Sequence, residues 1–270
     1  MISFVGAGPG AADLLTLRAV DRLAAADVVV WASSLVSPAV LEHCRPGVEV
    51  HDSKTMTLED VTAVYAAHPD AAIVRLHSGD PTVYGTIGEQ IDWCVAHQRD
   101  FEIVPGVSSL AAAAAAARRE LTVPGLAQSV VLTRLAHRTK ASVPPRESVA
   151  GFAALGPTMA LFLSAGRPDA LQAELQAAGS AYGPSTPAII AHRVSWPDET
   201  IVPTTVGRLA DDLRALGATT TVLVLVGEAL RPPSPGPAGG EPCGPGRRSH
   251  VYAPDYAHSF RPARTEGAGG

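Results

Sequence analysis

The sequence predicts an α/β protein built from two α/β domains, with a mostly parallel sheet in the first and a mixed sheet in the second. Short β-branched apolar runs alternate with stretches of helical periodicity in the first part of the chain, which favours parallel strands joined by helices. The segment LTVPGLAQ at residues 121–128 separates these runs from a second set. We therefore place the domains at residues 1–119 and 120–230.

Five apolar runs predict the strands of the first domain: ISFVG, ADVVVWA, VEVH, AIVRLH and FEIV. Helices are predicted at residues 14–25 and 58–67 from periodicity, and at residues 110–118 from an alanine-rich run. The second domain has the runs SVVLTRL, TMALFLSA, PAIIAHRV, ETIVPTT and TVLVLVG. Only SWPDE separates the third run from the fourth, which fits a hairpin rather than a crossover, so we expect this sheet to be mixed.

Length and composition favour a soluble, cytoplasmic globular protein. The chain has 270 residues, of which 46% are hydrophobic, yet the longest apolar runs fall short of the ~20 residues that span a bilayer. The first residues lack a basic region and a cleavage site, so they read as a strand and not as a signal peptide. Cys44, Cys94 and Cys243 have no CxxC or Cys/His spacing, which predicts neither a disulfide framework nor a bound metal.

Charge and composition set residues 231–270 apart. They contain five arginines, three acidic residues and sixteen prolines and glycines, a composition that predicts a disordered tail. Tyr252, Tyr256, His258 and Phe260 leave a docking motif there as an alternative. The formal charge of −5 for the chain leaves −7 for residues 1–230, which argues against nucleic-acid binding. An anionic substrate would need a local basic patch.

Two loops are the most informative feature for function. LHSGDPTVYG at residues 76–85 and VPGVSS at residues 104–109 each follow an apolar strand and precede a helix. In open α/β sheets ligands bind outside the carboxyl ends of the strands, so the two loops predict one small-molecule crevice. Asp80 lies between a glycine and a proline, where its carboxylate can accept hydrogen bonds from loop amides or a ligand, or cap a helix. Tyr84 and Gly85 would line the same crevice.

The first turn, GAGPGA, matches the dinucleotide fingerprint GxGxxA at Gly6, Gly8 and Ala11. The match is incomplete, because Pro9 removes an amide and the second strand ends without the acidic residue that would hold a ribose. Two interpretations remain: a tight glycine turn, or backbone that approaches a ligand closely.

No nucleophile, base and orienting residue form a recognisable set. Ser78, Ser108 and Ser109 lie in loops without a GxSxG motif, and the histidines, including His192, have no metal-like spacing. This absence fits an enzyme that aligns two reactants, since orientation alone can lower a barrier by ~7–11 kcal/mol.

Taken together, GAGPG, SGDPTVYG, VPGVSS, LTVPGLAQSVVLTR and HRVSWPDETIVPTTV resemble the tetrapyrrole (corrin/porphyrin) methyltransferase superfamily over residues 1–230. The first three motifs also occur in uroporphyrinogen, diphthine and rRNA ribose methyltransferases. ASSLVS at residues 32–37, ELTVPGLAQSVVLTR at residues 120–134 and SWPDETIV at residues 195–202 are closest to the precorrin-4 C-11 methyltransferases of cobalamin biosynthesis.

The resemblance implies a tetrapyrrole methylase-like fold, S-adenosylmethionine as cofactor with S-adenosylhomocysteine as product, a small tetrapyrrole substrate and a homodimer. It implies cofactor contacts from the following residues: Pro9, Ser78, Gly79, Asp80, Val83, Ser108, Ser109, Leu163 and Ala191. Carboxylates of the macrocycle would pair with arginines at the predicted crevice: Arg75, Arg118, Arg134 and Arg193. Candidates for a base that removes a proton after transfer are His51, Asp52 and His77.

The chain departs from the family pattern at one point. Where the family commonly has GPGDPDLLT, this chain reads GPGAADLLT, with Ala11 and Ala12 in place of Asp and Pro. A capping or loop-stabilising role for the lost carboxylate is the safer inference.

Three alternatives to this function stay open. One is another tetrapyrrole methyltransferase, acting on uroporphyrinogen III or a different precorrin. A second is an rRNA or diphthamide methyltransferase. The acidic core argues against the rRNA methyltransferase. The third, from another class, is a nucleotide-binding regulatory module suggested by GAGPGA.

Overall fold

A computed structural model describes residues 1–136, 143–144, 146–232, 249, 251, 253 and 255–263 of the chain. The chain divides into two compact units. Unit 1 comprises Met1–Arg118, Ala191–Ile201 and Thr220–Leu223, and unit 2 comprises Arg119–Ile190, Val202–Thr219 and Val224–Gly270.

The first sheet has five strands in the order β3-β2-β4-β1-β5. Its strands are β1 (Ile2–Gly6), β2 (Val28–Trp31), β3 (Glu49–Asp52), β4 (Ile73–His77) and β5 (Phe101–Val104). Every pairing is parallel, with Gly6 opposite His77 at the end of β1 and Val5 opposite Val104 of β5. The prediction of a mostly parallel first sheet is confirmed. The ends of β1, β4 and β5 therefore lie side by side.

Helices cover both faces of this sheet. They are α1 (Leu17–Ala24), α2 (Leu58–Ala67), α3 (Gly88–Ala96) and α4 (Ser109–Ala116). Because side chains alternate across a strand, Val5 and Leu76 pack with Leu23 of α1, whereas Phe4 packs on the other face with Tyr65 of α2. Both clusters are almost completely buried.

Hydroxyl caps mark the start of three of the helices on the first sheet. The predicted helix at residues 14–25 is divided into a 3-10 turn, Ala12–Leu14, and α1, because Thr16 is the N-cap and its Oγ1 accepts the Ala19 amide at 3.2 Å. At α2, Thr57 and Asp60 form a reciprocal capping box. Ser108 caps α4.

The second sheet has the order β6-β7-β10-β8-β9. Its strands are β6 (Val130–Arg134), β7 (Thr158–Phe162), β8 (Pro187–His192), β9 (Thr200–Thr205) and β10 (Val222–Val226). β6 pairs parallel with β7, and β7 pairs antiparallel with β10, so the predicted mixed sheet is confirmed. β8 and β9 are neighbours in the sheet, as the hairpin interpretation requires.

Three further helices lie in this half of the chain: α5 (Val149–Ala153), α6 (Pro168–Leu175) and α7 (Leu209–Leu216). Leu171 and Leu175 of α6 and Leu209 and Leu213 of α7 are buried. α7 ends at Gly217, whose φ of 69° gives the left-handed C-cap that glycine adopts without strain. Among the described residues, no helix is both long and apolar enough to cross a bilayer.

Most of the predicted tail at residues 231–270, including Tyr252, lies outside the described residues. In the described stretch 255–263, the Arg261 guanidinium donates to the carbonyl oxygens of Val251, Ala253 and Tyr256. Phe260 is exposed.

Candidate functional site

Three loops meet at the carboxyl edge of the first sheet because β1 lies between β4 and β5 and all three strands run parallel. The glycine loop is residues 6–11, the GDP loop is residues 78–87, and the PGVSS loop is residues 105–109. The two loops singled out in the sequence are thus adjacent, and the glycine loop lies with them.

The three loops touch through glycine backbone. A Cβ built on Gly6 would lie 2.5 Å from the Gly106 Cα and 2.7 Å from the Gly79 oxygen, and one on Gly106 would lie 2.1 Å from that same oxygen. Real Cβ atoms do not approach so closely, so no other residue fits at Gly6 or Gly106. The Gly8 amide donates to the Gly79 oxygen at 3.2 Å, and the Gly79 amide donates to the Gly8 oxygen at 2.7 Å.

Asp80 ties the GDP loop to the PGVSS loop. Its Oδ2 accepts the Gly106 amide at 2.9 Å, while Oδ1 accepts the Thr82 amide at 2.8 Å and the Thr82 hydroxyl. Partial burial alone would raise the pKa of Asp80, but the hydrogen bonds from Thr82 and Gly106 outweigh it and lower the pKa. Of the sequence alternatives for this carboxylate, the structure shows acceptance from loop amides.

A second segment of unit 1, the clamp turn (residues 193–199), contacts the glycine loop. The Trp196 Nε1 donates to the Pro9 oxygen at 3.0 Å, and the Ala11 amide donates to the Ser195 Oγ at 3.0 Å. A Cβ on Gly10 would lie 2.2 Å from the Trp196 Cδ1, so the indole occupies the space that a side chain would need. The sequence reasoning used SWPDE only as a family motif and a hairpin connection, and it missed this contact.

These contacts bear on the partial dinucleotide fingerprint. The amides of Ala7, Gly8 and Ala11 donate to protein oxygens, and Pro9 has no amide. A pyrophosphate site needs amides that point at the ligand from a helix N-terminus. Gly6 and Gly10 are required by close protein contacts, and the three bonded amides are not available to a phosphate.

The predicted cofactor residues of unit 1 other than Ala191 lie on these loops. A Cβ on Gly79 would be 3.6 Å from the Ser109 nitrogen and 3.8 Å from the Ser108 Cα, so these three residues adjoin. Ser78 is exposed, Val83 is half-buried, and Ala191 is buried near the end of β8. Leu163 belongs to unit 2, where it follows β7 with a φ of 51° and a side chain that is 74% exposed.

His77 is buried at the end of β4. Burial and the positive charge of Arg75 lower its pKa to about 3, although a hydrogen bond to the Gly85 backbone raises it. Its Nε2 has no hydrogen-bond partner, which leaves Nδ1 for the Gly85 oxygen. A histidine with such a pKa accepts a proton poorly near neutral pH.

The other two base candidates lie at β3. Asp52 Oδ1 accepts the amides of Ser33 and Lys54, each at 3.1 Å, and its Oδ2 accepts the Ser33 hydroxyl. Hydrogen bonds from Ser33, the largest cause, lower the pKa of Asp52 and weaken it as a base. His51 Nε2 lies 2.6 Å from Glu49 Oε1.

The four predicted substrate arginines have different surroundings. Arg75 on β4 donates from Nη1 to the Ser53 Oγ at 2.7 Å, and its Nε is buried without a partner. Arg193 pairs with Asp198 at 2.7 Å. Arg118 follows α4 with a φ of 55°, and Arg134 ends β6 in unit 2.

Comparison with known proteins places this architecture in a family. A model described as Tetrapyrrole (Corrin/Porphyrin) Methylases matches residues 1–210. A precorrin-4 C(11)-methyltransferase from Sinorhizobium sp is 37% identical over 262 residues, covering 96% of this chain and 98% of the relative. A cobalt-precorrin-4 C(11)-methyltransferase from Priestia megaterium is 40% identical over 259 residues, covering 95% of this chain and 96% of the relative.

Solved structures agree with this assignment. The X-ray structure of a cobalt precorrin-4 methyltransferase has a TM-score of 0.81 and 41% identity, covering 86% of this chain and 96% of that one. The uroporphyrin-III C-methyl transferase from Thermus thermophilus, complexed with S-adenosyl homocysteine, has a TM-score of 0.70 and 29% identity, covering 87% and 95%. The chain belongs to the tetrapyrrole methylase family, as its motifs predicted.

The glycine contact yields a stability prediction. We expect Gly106→Ala to lower the free energy of unfolding by about 2–3 kcal/mol, because the new methyl group must displace backbone. Urea denaturation measures the change. Gly88→Ala is the matched control, since nothing lies within 4 Å of a Cβ there, and its stability should be unchanged or slightly higher. Equal stability of the two variants would contradict the close backbone contact at Gly106.

His77 yields a pH prediction. Its folded pKa is lowered, so the unfolded chain alone binds this proton between the unfolded pKa, near ~6.5, and the folded value of about 3. This stability contribution is complete above pH ~6.5 and falls as the pH decreases. Between pH ~7.5 and ~5.5 wild type should lose about 1.4 kcal/mol more than His77→Asn, which keeps a donor for Gly85. Parallel urea titrations of both proteins would refute this prediction if their pH dependences coincided.

Proposed function

We propose that the protein transfers a methyl group from S-adenosylmethionine to C-11 of precorrin-4, or of its cobalt complex, in cobalamin biosynthesis. The observation that carries the proposal is similarity over nearly the whole chain to relatives of that name, at 37% and 40% identity. A uroporphyrinogen-III C-methyltransferase from Pseudomonas aeruginosa is 32% identical over a smaller share, 84% of this chain. The comparison therefore favours precorrin-4.

The residues at the three-loop edge fit a methyl donor with polar groups. Gly79 leaves space beside Ser108 and Ser109, and the exposed Ser78 adds a third hydroxyl. We propose that Pro9, the GDP loop, these serines, Leu163 and Ala191 contact S-adenosylmethionine. The Thermus thermophilus relative is complexed with S-adenosyl homocysteine, which supports the same ligand class for this chain.

The proposed methyl transfer needs few reactive side chains from the protein. When bound, the sulfonium supplies the methyl group to an electron-rich ring carbon and leaves as a neutral thioether, so no acid is needed. The loops must hold donor and acceptor in line and exclude water. The ring carbon then loses a proton, and the base stays a prediction among His51, Asp52 and His77.

Binding of the macrocycle carboxylates is proposed for Arg75, Arg118, Arg134 and Arg193. Arg75 is already bonded to Ser53 and Arg193 to Asp198, so replacing either would also disturb protein contacts. Arg118 and Arg134 are the two arginines whose replacement is tested below.

We further propose a cytoplasmic homodimer whose methylase domains are residues 1–119 and 120–230, with no nucleic-acid partner. The formal charge of −7 over residues 1–230 supports the last point. A regulatory module that binds a dinucleotide is the weaker candidate, because the Ala7, Gly8 and Ala11 amides donate to protein oxygens.

The direct test is single-turnover methyl transfer from labelled S-adenosylmethionine. Precorrin-4, cobalt-precorrin-4 and uroporphyrinogen III are offered separately, and mass spectrometry with NMR locates the new methyl group. We expect transfer to C-11 of one of the first two. Methylation of uroporphyrinogen III alone would move the protein to another branch of the family, and a co-purified nicotinamide or flavin would support the regulatory module.

Asp80→Asn should weaken S-adenosylhomocysteine binding about tenfold or more. The amide group cannot accept from both loop backbones, so the Gly106 or Thr82 N–H loses a bond to a charged acceptor, worth about 1.5–3 kcal/mol. Calorimetry measures the dissociation constant. Asp92→Asn, the same change on the exposed face of α3, is the control and should bind as wild type does. Unchanged affinity in Asp80→Asn would remove the GDP loop from the cofactor site.

Arg118→Ala and Arg134→Ala should raise the KM for the tetrapyrrole about ten- to a hundredfold, the effect of losing one charge-assisted pair. S-adenosylhomocysteine affinity should hardly change. Arg208→Ala, which removes an exposed guanidinium that pairs with Asp212, should change KM by less than about threefold. If neither arginine alters KM, Arg118 and Arg134 do not belong to the carboxylate-binding patch.

A further inference from the structure

The clamp turn is braced from within its own unit. The Arg193 amide donates to the Thr221 oxygen at 2.9 Å, and the Trp196 amide donates to the Arg193 oxygen at 3.0 Å. Glu199 Oε2 accepts the Ser195 amide at 2.6 Å. These bonds give the turn a defined conformation, so the side chains it carries are held in place.

Two residues of this turn adopt an unfavourable backbone. Arg193 has a φ of 47° and Ser195 a φ of 64°, in the left-handed region that non-glycine residues rarely occupy. Such conformations persist where surrounding contacts over-determine them, and they concentrate at functional sites.

The strained backbone directs the indole of Trp196 at the glycine loop. The Arg193 guanidinium carbon lies 4.0 Å from the centre of the Trp196 ring, and its Nε lies 2.7 Å from the Asp198 Oδ1. This stacking fixes one face of the ring. The edge of the indole lies against Gly10, and the indole N–H donates a hydrogen bond to the Pro9 oxygen.

We propose that Trp196 is a positioning residue: its indole holds Pro9 and Gly10 in the conformation in which the glycine loop contacts the methyl donor. The inference rests on the proposed function. Trp196 acts through Pro9, and Ser195 secures the following residue through the Ala11 amide. The first helical turn has no side-chain cap hydrogen bond at Ala11, and Ser195 holds this residue through its backbone amide instead.

The first experiment separates the hydrogen bond from the ring. Trp196→Phe should weaken S-adenosylhomocysteine binding about two- to tenfold, the effect of one neutral hydrogen bond, and Trp196→Ala should weaken it further. Trp93→Phe, the same change at an indole of α3 that stacks on His97, is the control and should bind within about twofold of wild type. Urea denaturation confirms that each variant is folded at the assay temperature.

The second experiment tests the fit of Gly10 against the indole. Gly10→Ala should weaken binding, because its methyl group would overlap the Trp196 ring. Adding Trp196→Ala makes room for that methyl group, so the double variant should bind more tightly than Gly10→Ala alone. If the double variant bound S-adenosylhomocysteine no more tightly than Gly10→Ala alone, the fit of Gly10 against the indole would not control binding, and the proposal would be overturned.

Failure of this inference can be told from failure of the proposed function. If wild type binds S-adenosylhomocysteine and the Trp196 variants bind it equally well, positioning by Trp196 is overturned and the methyltransferase proposal stands. If wild type itself does not bind S-adenosylhomocysteine, the proposed function is overturned and this inference with it.

Discussion

The contact among Gly6, Gly79 and Gly106 is the constraint on which the rest of the candidate site depends. Parallel pairing of β1 with β4 and β5 brings three strand ends to one edge, and only residues without side chains let the following loops touch. Asp80 then fixes the separation of two of these loops by accepting the Gly106 amide. The edge is held together by backbone contacts and by the Asp80 carboxylate, which joins two of the loops.

The proposed methyl transfer needs few reactive side chains at this edge. Methyl transfer from a sulfonium requires alignment and exclusion of water more than acid or base chemistry. The three base candidates are committed to protein contacts, and burial makes His77 a poor proton acceptor. The glycines, Asp80 and the clamp turn instead fix the positions of the loops.

The clamp turn shows how a distant segment takes part in the same edge. Residues 193–199 are far along the chain from the glycine loop, yet Ser195 and Trp196 satisfy its Ala11 amide and Pro9 oxygen. The strained backbone at Arg193 and Ser195 is compensated by these and neighbouring contacts. The glycine loop is therefore held by a segment from another part of the chain within unit 1.

The sequence by itself determined the local structure and the family. Apolar runs marked the strands, periodicity marked helices, and glycine-proline motifs marked the loops that follow β4 and β5, whereas the caps Thr16 and Ser108 were found only in the structure. These properties depend on neighbouring residues and can be read in order. Only the tertiary structure decided that Gly6 must lack a side chain because Gly106 lies against it, and that Gly10 makes room for Trp196. It also decided that the Asp80 carboxylate accepts a hydrogen bond from the Gly106 amide instead of capping a helix. Those requirements join residues separated by tens to hundreds of positions, and no periodicity or local propensity encodes such pairings.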